Sequence, residues 1–151
     1  VQAARSLARL PDSRLAGVSS LYRSAPIESS GPDYLNAVAR LETTLPALTL
    51  LHALQTIEQE QGRERPYLNA PRTLDLDLLA YDQIELNSTE LTLPHPRAHL
   101  RAFVLQPWAE LAPQARLGRH GLVSVLLQSV SGQRIERVTL ADEWPGTSDK
   151  N

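Results

Sequence analysis

Pro71-Arg72-Thr73-Leu74-Asp75-Leu76-Asp77-Leu78-Leu79 is the stretch on which the fold of this chain turns. Leu74, Leu76 and Leu78 alternate with Asp75 and Asp77. A period of two predicts a strand, with both carboxylates on one face and the leucines on the other. Like charges sharing a face repel unless something cationic lies between them. Paired oxygen donors suit Mg²⁺, and Arg72 adds a fixed positive charge suited to phosphate. The residues therefore describe a metal-and-phosphate site on a sheet. For two isolated aspartates, the solvent face of an edge strand is the competing description.

Upstream lies an irregular basic loop, residues 63–71, and before it a helix that Pro46 opens and Gly62 stops. Its expected core stripe is Leu48, Leu51, Leu54 and Ile57. Gln55 and Glu58, three apart near the edge of that stripe, can share a polar site. Two strands are expected ahead of it, Val18 to Arg23 and Tyr34 to Thr43. The longer one sets Leu35, Ala37, Ala39 and Leu41 on one face. Val1, Ala4, Leu7, Ala8 and Leu10 recur at helical spacing, and Pro11-Asp12-Ser13 ends that first helix. Downstream, Ile84-Glu85-Leu86 and Leu91-Thr92-Leu93 are expected to pair as a small hairpin. Pro94-His95-Pro96-Arg97 makes a rigid polar corner. Helices follow around 98–105 and 121–130, then a short strand at 137–140.

Helix, strand, strand, helix, strand is the order of an α+β, ferredoxin-like α/β sandwich with a mostly antiparallel sheet. The first strand of a β-α-β-β-α-β unit is missing from the given residues. The 151 residues suit a single domain, 1–142, with 143–151 a loose tail. A net charge of −2 gives no support for nucleic-acid binding. The chain has no cysteine, hence no disulfide and no thiolate chemistry. No apolar run approaches the roughly 20 residues that span a bilayer, and the N-terminus lacks the pattern of a signal peptide. A cytoplasmic protein without a membrane partner is expected.

Five stretches in fixed order carry a resemblance: Ser19-Ser20-Leu21-Tyr22-Arg23-Ser24-Ala25-Pro26, Pro32-Asp33-Tyr34-Leu35-Asn36-Ala37, Ile57-Glu58-Gln59-Glu60-Gln61-Gly62-Arg63, the opening stretch, and Leu93-Pro94-His95-Pro96-Arg97 with Arg101-Ala102-Phe103. Together they resemble the 6-hydroxymethyl-7,8-dihydropterin pyrophosphokinase family of the folate pathway. The resemblance implies an ATP-dependent diphosphokinase that moves the terminal diphosphate of ATP to the pterin hydroxymethyl group and releases AMP. It implies two Mg²⁺ ions, ATP and the pterin as small-molecule partners, and a monomer.

By the same resemblance, Asp75 and Asp77 are the metal ligands, and with Arg63, Arg65 and Arg72 they form the catalytic set. Arg63, Arg65, Arg72, His95 and Arg101 hold the triphosphate. Gln55, Glu58, Leu78 and Thr92 line the nucleotide pocket. Ser24, Pro26, Ile27, Tyr34, Asn36 and Phe103 line the pterin pocket, with Asp75 at its edge. An amide such as Asn36 matches the mixed donor and acceptor edge of a pterin, and an aromatic such as Phe103 can stack on its ring. The sequence departs from the family pattern at three places. The leading strand and its Gly-Ser-Asn loop are not among these residues, Leu68 stands where a loop arginine is expected, and Ala25 stands where proline is common.

Plainer roles compete at single positions. His95 could be a turn histidine, Arg63 and Arg65 a solvated loop, Tyr34 and Phe103 core aromatics, and Glu58 an exposed helix residue. Trp108 and Trp144 are assigned to packing and tail. Two other functions belong beside the family's own: a silent fragment or binding module of it, or a metal-dependent phosphohydrolase. AMP formation with the pterin would exclude the first, and phosphate release from ATP without pterin would favour the second.

Overall fold

The computed structural model describes residues 2–24, 34–62 and 75–138. Ala4 and Leu7, one turn apart, bury the inner side of helix α1 (Gln2–Ala8). The turn after it holds Asp12 at φ 53°, a left-handed conformation that aspartate tolerates. Strands β1 (Ser13–Val18), β2 (Leu21–Ser24), β3 (Tyr34–Asn36) and β4 (Ala39–Thr43) follow. β1 pairs antiparallel with β4, and β2 with β3. Between these ladders the Ser19 N–H donates to the Val38 carbonyl at 2.9 Å, and the Val38 N–H donates to Ser19 Oγ at 3.0 Å. The four strands thus form one bent ribbon.

The register of this ribbon slips twice. Leu15 faces Leu41 but Gly17 faces Arg40, so Ala16 is extra. Val18 faces Ala39 but Tyr22 faces Asn36, which leaves another extra residue beside Ser19 and Ser20. Each bulge bends the strand and interrupts its alternation. The two unbroken strands expected at Val18 to Arg23 and Tyr34 to Thr43 are therefore split. The cause is local: the hydroxyl of Ser19, fully buried, takes a backbone N–H that a ladder carbonyl would otherwise accept. The face expected to run from Leu35 to Leu41 does not survive the break, and Leu35 is 56% exposed.

The remaining elements are α2 (Ala47–Gly62), β5 (Leu86–Asn87), β6 (Thr92–Leu93), α3 (Ala102–Leu111), α4 (Val123–Ser129) and β7 (Ile135–Val138). Short 3₁₀ turns lie at Ala98–Leu100 and Gly118–His120. β7 pairs antiparallel with the other edge of β2, giving the order β3-β2-β7, and starts before the position expected for it. The expected hairpin forms as β5 and β6, with Leu86 opposite Leu93. Every ladder among the described residues is antiparallel, and the chain is α+β. Among the described residues the strands form three sheets, β1-β4, β3-β2-β7 and β5-β6, and not one continuous sheet.

Among the described residues, three apolar clusters make the core. Leu7, Leu50, Leu54 and Ile57 join α1 to α2 under the ribbon. Leu50, not the expected Leu48, completes the α2 stripe, and Leu48 is exposed. Leu51, Leu91 and Leu93 tie α2 to the hairpin. Ala98, Ala102, Val104, Leu105, Leu117, Val123 and Val130 bind α3 to α4, with Trp108 packed against them as expected. Leu76 packs on the first cluster, Leu78 on the first and second, and Leu79 on the third. The Asp75/Asp77 segment is thus the seam where the three meet.

The helix expected over 98–105 is broken at Arg101, which is extended at φ −124°, ψ 117°. Gln133 explains the break. Its amide oxygen accepts the Ala102 N–H at 2.9 Å and its amide nitrogen donates to the Leu100 carbonyl at 2.9 Å. Both backbone groups are satisfied without helix, which lets the chain reset at Arg101.

His99 and His120 stack, with ring centroids 3.7 Å apart and planes 9° from parallel. Among the described residues, His99 Nδ1 is buried without a hydrogen-bond partner. Burial and the neighbouring His120 push the His99 pKa below its ordinary 6.5. The unfolded chain therefore takes up this proton first, so stability is full above 6.5 and falls as pH drops through the lowered native value. His99→Phe keeps a stacking ring and removes the unpartnered nitrogen. A pH series of thermal midpoints from 7 down to 5 should show a shallower decline for this variant than for the parent chain. Equal slopes would exclude His99 as the source.

Candidate active site

Residues 75–80 form no ladder, contrary to the strand expected there. Their backbone is held by other means. The Leu76 N–H donates to Glu58 Oε2 at 2.5 Å, and the Leu79 carbonyl accepts the His95 N–H at 2.8 Å. The period of two persists nonetheless: Asp75 and Asp77 are exposed while Leu76 and Leu78 are half-buried. Burial of the leucines is what turns both carboxylates to solvent on the same side.

The corner at 94–97 brings His95 to this segment. A cis bond joins Leu93 to Pro94, and Gly118, at φ 54°, leaves room that a Cβ would take at 3.1 Å from Pro94 Cγ. The Arg97 N–H donates to His95 Nδ1 at 3.2 Å. The proton of the neutral ring therefore belongs on Nε2, which is a donor. Burial lowers the His95 pKa, the Asp77 carboxylate opposes this, and Arg101 and Arg97 reinforce it. Asp77, Arg101 and Arg97 are thus close enough to His95 to act on it electrostatically. The Arg101 guanidinium carbon stands 5.3 Å from the centre of the Phe103 ring, a cation–π contact.

Asp77, His95, Arg101 and Phe103 accordingly form one neighbourhood. Glu58 joins its edge through Leu76. Leu78 is partly buried between two core clusters. Gln55 is exposed on α2, and Thr92 faces Asn87 in the hairpin. Among the described residues no hydrogen bond ties Gln55 or Thr92 to Asp77, His95 or Arg101. Ser24 is buried, and its hydroxyl accepts from the Asn36 amide at 3.2 Å. The Tyr34 backbone pairs with Ser24. α3, which carries Phe103, packs on β2 and β3 and so lies beside the Ser24–Asn36 pair. Pro26, Ile27, Arg63, Arg65 and Arg72 lie outside the described residues, as do the side chain of Tyr34 and the segment 139–151 with Trp144. An open hollow lined by Asp12, Ser13, Arg14, Glu42, Thr43 and Thr44 contains none of the expected site residues.

One group in this region escaped the sequence reading. Glu110 near the end of α3 accepts hydrogen bonds from Ser20 and Tyr22 of the ribbon. It is the one charged residue in an otherwise uncharged helix, which is a signal legible in the sequence. Its partners, some 90 residues away, are not.

The model of the 7,8-dihydro-6-hydroxymethylpterin-pyrophosphokinase (HPPK) family matches residues 1–113. A 2-amino-4-hydroxy-6-hydroxymethyldihydropteridine pyrophosphokinase of Pseudomonas aeruginosa is 47% identical over 133 residues, covering 86% of this chain and 81% of that protein. The Haemophilus influenzae protein of the same name is 38% identical over 134 residues, 88% of this chain and 84% of its own. The folic acid synthesis protein fol1 of Schizosaccharomyces pombe is 41% identical over 101 residues, 66% of this chain and 14% of its own length. Exposed paired aspartates, a neutral histidine donor and an arginine beside an aromatic ring thus stand in a chain whose match to the family model takes in all of them. The chain belongs to the 7,8-dihydro-6-hydroxymethylpterin-pyrophosphokinase family.

Proposed function

We infer that the chain transfers diphosphate from ATP to 6-hydroxymethyl-7,8-dihydropterin, releasing AMP, as a step of folate biosynthesis. The observation that carries this reading beyond family membership is the gathering of His95 and Arg101 beside the solvent-facing carboxylates of Asp75 and Asp77.

The pterin hydroxyl oxygen forms a bond to the β-phosphorus of ATP while the bond from that phosphorus to the α,β-bridging oxygen breaks. The bridging oxygen leaves on AMP, and the hydroxyl proton is lost to water. Such a transfer needs alignment and charge neutralisation more than covalent help. His95, held neutral by burial, offers Nε2–H to a phosphate oxygen, and Arg101 offers its guanidinium. Arg63, Arg65 and Arg72 complete the cationic side on this reading. Gln55, Glu58, Leu78 and Thr92 receive the nucleotide. Ser24, Pro26, Ile27, Tyr34, Asn36 and Phe103 receive the pterin, with Asp75 between the two substrates.

Asp75 and Asp77 suit Mg²⁺. Among the described residues no group of three acidic or imidazole side chains is assembled for a metal, so an ion here would keep sites for water and phosphate oxygens. That is the arrangement Mg²⁺ prefers. When bound, the two expected ions neutralise charge on the phosphate oxygens. The enzyme works as a cytoplasmic monomer on this reading. No described helix is long and apolar enough to cross a membrane.

The test is AMP production from ATP measured with and without the hydroxymethyl dihydropterin, with and without Mg²⁺. AMP should appear in proportion to pterin consumed and only when all three are present. Inorganic phosphate released from ATP alone would replace this reading with a phosphohydrolase.

A further inference from the structure

We propose that Glu110 is a positioning residue for the pterin: its carboxylate sets how far the Ser24–Asn36 pair stands from Phe103 along α3. This rests on the assignment of those three residues to the pterin pocket. Glu110 and Phe103 are seven residues apart in α3 and so share a face of that helix, separated by about 10 Å. Ser20, Tyr22 and Ser24 alternate along β2 and its approach, and all three are buried. Strand periodicity places them on one side of the ribbon, and α3 packs against β2. Helix and strand therefore run alongside each other, with Glu110 at the Ser20–Tyr22 end and Phe103 toward the Ser24 end.

The carboxylate is the polar tie between the two. Glu110 Oε2 accepts the Ser20 N–H at 3.0 Å and the Ser20 hydroxyl at 3.1 Å. Glu110 Oε1 accepts the Tyr22 hydroxyl at 2.6 Å and the Arg137 guanidinium at 3.5 Å. Arg137 lies opposite Tyr22 in β7 and also approaches the Tyr22 ring, 5.9 Å from its centre. The contacts to Ser20 fall beside the second bulge, where the strand has no regular ladder to define its position. Apolar packing resists separation but resists sliding poorly, since it lacks direction. Four directed bonds on one carboxylate supply the missing reference along the strand. Two residues further on, Ser24 holds the Asn36 amide. His95, expected to hold the nucleotide, sits on the 94–97 corner and does not hang from this tie, whereas Arg101 moves with the start of α3 as Phe103 does.

The test is equilibrium binding of 6-hydroxymethylpterin in the presence of Mg²⁺ and α,β-methylene-ATP, alongside binding of the analogue alone. Glu110→Gln keeps the shape and loses the charge. Tyr22→Phe removes one bond and keeps the ring, so it serves even if the first variant folds poorly. Both should weaken pterin binding, by about tenfold and about threefold respectively, with analogue binding changed less than twofold. A purely structural role would move both ligands together or neither, and either pattern in the folded variants overturns the proposal. Failure of the parent chain to bind the pterin at all would instead overturn the assignment of the pocket.

Discussion

Asp77→Ala should lower kcat/KM by about a thousandfold and shift the thermal midpoint by only a few degrees. The two halves of this expectation have separate causes. Asp77 is exposed, so its removal leaves no cavity. It stands two residues from Asp75 on the same side, so losing one of two like charges relieves repulsion. Stability should hold or rise slightly. On the proposed reading activity should collapse, because the carboxylates would hold the Mg²⁺ that offsets the charge of the transferred diphosphate. Asp77→Asn keeps an oxygen but not the charge, and should fall between parent and alanine. Steady-state AMP formation beside a thermal melt measures both halves. A loss of tenfold or less would return Asp77 to the solvent face of an ordinary segment.

Leu105→Ala should do the opposite, costing about 3 kcal/mol of stability and, for a chain of this length, about 10 °C in midpoint. Leu105 is 0% exposed and sits among Ala98, Ala102, Leu117 and Val123, drawn from both helices and both 3₁₀ turns or their flanks. Per molecule still folded, activity should change far less than in Asp77→Ala. A chemical-denaturation series read by circular dichroism, with m unchanged, is the check. A cost below 1 kcal/mol would mean that α3 and α4 can close over the gap.

The fold class and the alternating exposure at 75–78 were legible because they depend on short-range pattern. Alternation of Leu and Asp predicted which side chains at 75–78 would face solvent, and that holds. The ladder expected there does not, because the backbone partners are a carboxylate from α2 and the amide of His95, neither of which has a local signature. The same physics explains the other misses. Ser19 and Ser20 read as ordinary strand residues until the buried hydroxyl of Ser19 is seen to take the Val38 N–H. The helix expected at 98–105 had suitable residues throughout, and Gln133, some 30 positions away, decided where it broke. In each case a side chain distant in sequence met a backbone demand that periodicity assigns to a neighbour.

The twice-slipped ribbon has an evolutionary consequence. Each extra residue exchanges inside for outside over everything beyond it, so the lengths of the two paired segments carry information that their composition does not. Substitutions can accumulate there one at a time. A lone deletion at a paired position such as Leu41 cannot be accepted as a small step, since it would shift the register of everything beyond it, whereas loss of the extra Ala16 would keep the pairing and remove the bend. Lineages descending from this chain should therefore vary freely in the letters of β1 to β4 and hold their spelling length fixed.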